Sequence, residues 1–87
     1  MLSGRVQGVG FRYFAVERAQ RRGLTGWVRN LGENRVEVRA AGPSSELDAF
    51  LAELRLGPPQ SRVDAVQADW QPPAEEFSGF RVVAGGW

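Results

Sequence analysis

Hydrophobic residues along this chain switch between a spacing of two and a spacing near 3.6, and the order of those switches constrains the fold more than any other feature. Leu2, Gly4 and Val6 alternate with Ser3 and Arg5, the pattern of a short strand. The glycine-rich stretch GRVQGVG follows over residues 4–10, and from Phe11 the spacing turns helical. Phe11, Phe14, Ala15, Ala19 and Arg22 share one face, and Gly23 is the expected stop. Thr25–Leu31, with Trp27 and Val28, reads as a strand, GENR as a turn, and Val36, Val38 and Ala40 alternate with Glu37 and Arg39 to complete a β-hairpin. Gly42 and Pro43 break that strand. Ser45 and Asp48 have the spacing of a capping box, and Leu47, Phe50, Leu51 and Leu54 form the apolar stripe of a second helix that Gly57, Pro58 and Pro59 end. Residues 63–70 read as a further strand with Val66, Ala68 and Trp70 on one face, and residues 80–83, beyond the loop QPPAEEFSG, as an optional short fifth.

The order is β-α-β-β-α-β. Two β-α-β halves of similar length, each helix apolar along one stripe, predict an α+β fold of the ferredoxin-like kind, an antiparallel sheet with both helices on one face. A chain of 87 residues leaves no room for a linker, so residues 1–87 are expected to form one domain. A domain of that size buries only about 60 to 65% of its unfolded surface, enough for one core. Trp27, Trp70, Phe14 and Phe50 are assigned to that core, while Glu46, Asp48, Glu53, Glu75 and Glu76 read as solvated charges.

Absent residue types narrow the chemistry. Cysteine and histidine are both missing, which removes disulfides, thiolate nucleophiles, thiolate zinc sites, the usual general base and the commonest metal ligand. Arg, Asn, carboxylates, hydroxyls and backbone groups remain. Every basic residue is Arg, which offers a planar fork for phosphate. The formal charge of +1 is too small to draw in nucleic acid or an anionic membrane, so an anion site must be local. No apolar run approaches the roughly 18 residues of a membrane span, and the early Arg and Glu residues interrupt any signal-peptide core, so a cytoplasmic protein is expected.

A glycine-rich loop between a strand and a helix lets backbone N–H groups converge where the helix start adds partial positive charge. Arg12, in the first helical turn, can close over an anion held there and bind two of its oxygens in parallel. No GKS or GKT follows, so this is not a Walker loop, and glycines at 4, 8 and 10 do not make the dinucleotide fingerprint. The residues alone carry the reading as far as an anion-binding loop.

The segment LSGRVQGVGFR, residues 2–12, goes further, because it resembles the first signature of the acylphosphatase family, with the Gly, Val, Gln, Gly, Val and Arg that the family holds fixed. Six such matches arise by chance with a probability of about 10⁻⁸ at a given start. GWVRN, residues 26–30, is similar to the core of the second signature, with Val36 and Gly42 at the expected spacing. The resemblance implies a metal-free, cofactor-free hydrolase of small acyl phosphates; a monomer is expected. In it Arg12 and the loop amides of Arg5, Val6, Gln7, Gly8, Val9 and Gly10 hold the phosphate, and Asn30 orients a water for in-line attack on phosphorus. Two positions depart from the family. Asn34 stands where a hairpin glycine is usual and is expected to adopt the left-handed conformation, and the first strand is expected to be clipped before Met1.

The substrate class suits the composition. Hydrolysis of an alkyl phosphate needs a proton for a poor alkoxide leaving group, whereas an acyl phosphate releases a carboxylate whose conjugate acid has a pKa of about 4 to 5. No general acid is required. An RNA-binding module of the same order would need aromatics on its third strand, which here is RVEVRAAG, and a metal chaperone would need a CxxC. The alternative that remains is a non-catalytic anion-binding module, against which Asn30 speaks, since phosphate binding alone needs no water-positioning amide. A larger carbamoyl-transfer maturation protein carries a similar domain, but the short chain favours a free-standing enzyme.

Overall fold

The switches in hydrophobic period become β1 (Leu2–Arg5), α1 (Phe11–Arg21), β2 (Thr25–Leu31), β3 (Arg35–Ala41), α2 (Ser44–Leu56), β4 (Arg62–Val66) and β5 (Phe80–Val82). The structure is a computed structural model that describes residues 1–7, 10–68 and 79–85. The sheet order is β4-β1-β3-β2-β5. Each neighbouring pair among its first four strands is antiparallel, as the ferredoxin-like reading requires. β5 instead runs parallel to β2, pairing Gly26 with Phe80 and Val28 with Val82, so the complete sheet is mixed. β4 and β5 form its opposite edges, so no hairpin dictates the direction of the last strand.

Both helices share a core with one face of the sheet. Phe11, Ala15 and Ala19 of α1 and Phe50 and Leu54 of α2 join Leu2, Val6, Leu24, Val28, Val36 and Phe80, and Phe50 meets Phe80 edge to face. Trp27, assigned to the core from sequence, lies half-buried on the other sheet face, where the guanidiniums of Arg29 and Arg39 stand over its ring at 5.3 and 5.9 Å. Strand alternation decides this: Gly26, Val28 and Asn30 take the helix side, so Trp27 cannot. Phe14 is partly buried against the core. Trp70 lies outside the described residues, as do Glu75 and Glu76.

The helix ends follow the sequence at one helix and depart from it at the other. α1 closes with Gly23 left-handed at φ 67, the Gly23 amide donating to Gln20 and the Leu24 amide to Ala19, a Schellman arrangement. α2 does not use the expected capping box. Its N-cap is Pro43, whose carbonyl accepts from the Glu46 and Leu47 amides, and Ser45 and Asp48 sit inside the helix without a side-chain cap. Glu46 and Glu53 are not simply solvated. Arg22 pairs with both and Arg18 lies 3.7 Å from Glu53, so a half-buried ionic cluster ties the helices together. The fourth strand stops at Val66, short of the expected residue 70, and Ala68 is exposed. β1 meets β3 at Leu2 and Ser3 only.

Gly26 marks a close approach of two central strands. Its φ is 143°, and a Cβ there would stand 1.9 Å from the Arg39 carbonyl oxygen of β3. Gly26→Ala is therefore expected to destabilise the fold by about 3 kcal/mol or more, backbone strain and overpacking adding together, as read from the urea midpoint of unfolding.

Candidate active site

β1 and β2 both run antiparallel to β3, so they point the same way and end at the same end of the sheet. α1 starts at that end and runs back over β2 and β5. The chain between β1 and α1 must turn sharply there. Val6 anchors the turn in the core at 1% exposure, and Gly10 completes it as the α1 N-cap at φ 78, a left-handed conformation that glycine adopts without a Cβ penalty. The Gly10 carbonyl accepts from the Phe14 amide at 3.0 Å. Amides of a first helical turn have no intrahelical acceptor, and α1 has neither a capping side chain nor an acidic residue in that turn. Its last turn carries Arg18 and Arg21. The positive end of the helix dipole thus faces the loop without a neutralising carboxylate of its own first turn.

Arg12 is partly buried in this first turn, and none of the described residues forms an ion pair or hydrogen bond with its guanidinium. Asn30 is the penultimate residue of β2, paired with Val36 and on the helix side of the sheet with Gly26 and Val28. Its Oδ1 is buried and has no hydrogen-bond partner among the described residues. A buried amide oxygen left so normally costs free energy, and it leaves Asn30 with an acceptor that the described residues do not use.

The loop positions named from sequence are placed in part. Arg5 closes β1, its backbone paired with Arg62. Gly8 and Val9 lie outside the described residues. Gln7, expected to act through its amide, also extends its side chain away to the β2–β3 hairpin, its Nε2 donating to the Gly32 and Arg35 carbonyls at 3.0 Å each. Asn34 does not take the left-handed conformation expected of it. Among the described residues only glycines have positive φ, and Gly32 at φ 68 supplies the one that this turn needs, leaving the Asn34 carbonyl to accept from the Gly4 amide at 3.1 Å.

A neighbour of Asn30 gave no signal in the sequence. The segment after β5 passes beside it: the Val83 amide donates to the Val28 carbonyl, and a Cβ on Gly85 would lie 3.0 Å from the Asn30 carbonyl oxygen. Tyr13, next to Arg12, is 78% exposed. Among the described residues no three His, Cys, Asp or Glu side chains gather where a metal ion could sit, and no helix is long and apolar enough to cross a membrane.

Known proteins share this fold over nearly the whole chain. The model of the acylphosphatase family matches residues 1–82. An acylphosphatase of Salinibacter ruber is 46% identical over 81 residues, which are 93% of this chain and 85% of that protein. The crystal structure of acylphosphatase from Bacillus subtilis superposes with a TM-score of 0.90 at 40% identity, over 94% of this chain and 91% of that one. Full-length HypF, in its phosphate- and nucleotide-bound form, contains a similar unit, with a TM-score of 0.86 and 31% identity over 98% of this chain and 11% of that chain. The chain thus shares sequence as well as fold with these proteins, and it belongs to the acylphosphatase family.

Proposed function

We propose that the protein hydrolyses the carboxyl–phosphate anhydride of small acyl phosphates, giving a carboxylate and inorganic phosphate. The buried, unpartnered Oδ1 of Asn30 carries this reading, because an acceptor at the sheet end where α1 begins is what a water needs to be held for attack. The substrate phosphate sits against the loop amides of residues 5–10, with the Arg12 guanidinium across two of its oxygens. Asn30 accepts a hydrogen bond from the attacking water and turns its lone pair to phosphorus, opposite the leaving oxygen. A bond forms from the water oxygen to phosphorus while the bond from phosphorus to the acyl oxygen breaks. The carboxylate leaves with the electron pair and needs no proton, and the water's proton passes to a phosphate oxygen of the substrate. Arg12 and the amides stabilise the charge spread over the transferring group, the largest contribution in phosphoryl transfer.

The donor set supports a metal-independent reaction, since the chain has no His or Cys and no three carboxylates gather among the described residues. Residues 1–87 act as one domain, with a small acyl phosphate as the partner, as a monomer in the cytoplasm without binding nucleic acid or membrane. The test is hydrolysis of benzoyl phosphate in excess EDTA, alongside an alkyl phosphate. Turnover of the acyl phosphate alone, unchanged by EDTA, is the expected result. Phosphate binding without turnover of either compound would instead favour the anion-binding module.

A further inference from the structure

The side chain of Gln7 joins two parts of the site that the sequence keeps more than 20 residues apart. Its carboxamide has two N–H donors, and both go to the hairpin, one to the Gly32 carbonyl just after β2 and one to the Arg35 carbonyl at the start of β3. Two carbonyls fix the orientation of the amide, because only the NH₂ side can donate to both. Gly32 is two residues from Asn30, and Gln7 lies in the segment whose amides are proposed to hold the phosphate. The hairpin is also tied to β1, just before that segment, by the bond from the Gly4 amide to the Asn34 carbonyl.

We infer that Gln7 is a positioning residue that sets the distance and angle between the phosphate held by the loop and the water held by Asn30. The inference rests on the roles proposed above for the loop and Asn30. No other described side chain donates from the loop to the hairpin. In-line attack requires the water oxygen and phosphorus to be aligned near van der Waals contact, and a misplacement of about 1 Å can cost on the order of a hundredfold in rate. Loss of the two bonds loosens the loop against β2 without removing any group that touches the phosphate.

Gln7→Met keeps the length of the side chain and removes both donors. For this variant kcat on benzoyl phosphate is expected to fall by roughly 10- to 100-fold, while the inhibition constant of inorganic phosphate stays within about threefold of the parent. Gln7→Glu turns a carboxylate toward two carbonyls, which disfavours the ionised form and raises its pKa. Protonation returns one O–H donor, so kcat of Gln7→Glu relative to the parent is expected to rise as the pH is lowered through that pKa. A purely structural role would not produce this profile. Full kcat in Gln7→Met, or parallel losses of kcat and phosphate affinity in it, would overturn the inference. Arg12→Ala and Asn30→Ala run in the same assay separate the two readings: if they lose turnover while Gln7→Met retains it, only the role of Gln7 fails, whereas turnover retained by Asn30→Ala removes the site reading itself.

Discussion

Arg12→Ala is expected to lower kcat/KM for benzoyl phosphate by roughly a thousandfold or more and to weaken competitive inhibition by inorganic phosphate in the same enzyme. The reasoning begins with the helix. α1 presents its uncapped N-terminus to the loop, so the amides supply a fixed partial positive charge, and Arg12 adds the single full charge that its position in the first turn can bring over the bound group. Charge spreads over the phosphoryl oxygens as the acyl bond breaks, so the guanidinium gains interaction between the bound state and the transition state, and losing it affects both. A thousandfold is about 4 kcal/mol, within the reach of a bidentate contact in a partly buried setting. Arg12→Lys keeps the charge without the fork and is expected to recover phosphate inhibition more than turnover. Because none of the described residues pairs with Arg12, the alanine variant should unfold at nearly the parent temperature, which circular dichroism can check.

Asn30→Ala should separate the two halves of the site. It is expected to reduce kcat by roughly a thousandfold while leaving phosphate inhibition within about threefold, since the amide is proposed to hold the water and not the phosphate. Its effect on stability distinguishes it from an ordinary core truncation. Asn30 is part of the helix-side face of β2, yet its Oδ1 finds no partner among the described residues, so the fold gains little from it. Removing an unsatisfied acceptor is nearly neutral for folding, and the thermal midpoint is expected to hold or rise. A large loss of both stability and turnover would mean that Asn30 serves packing, and the water-positioning role would be wrong.

Much of this site was legible because its parts are local. The strand alternation of residues 2–6, the glycine-rich stretch and the helical spacing from Phe11 place Arg12 at a helix start with no tertiary information, and Gly23 ends that helix by a conformation few other residues adopt easily. Caps and turns were less secure, because competing local solutions differ by about 1 kcal/mol. Ser45 and Asp48 match a capping box, but the chain enters α2 two residues earlier, through Pro43. Asn34 was a reasonable left-handed residue, but Gly32 lies in the same turn and takes that conformation at lower cost.

The sequence by itself determined the order of elements, the absence of thiol and imidazole chemistry, and a glycine-rich loop beside Arg12, since each follows from residue type or from spacing within one element. The tertiary structure decided what depends on strand register and on which edge a strand joins. It put β5 parallel to β2, placed Trp27 on the face away from the helices, drew Glu46 and Glu53 into pairs with Arg22, and turned the Gln7 side chain to the hairpin. A one-residue shift of register would move Asn30 to the opposite face of the sheet, so its place on the same side as α1 is fixed by the pairing of β2 with β3 and by no local preference of the chain.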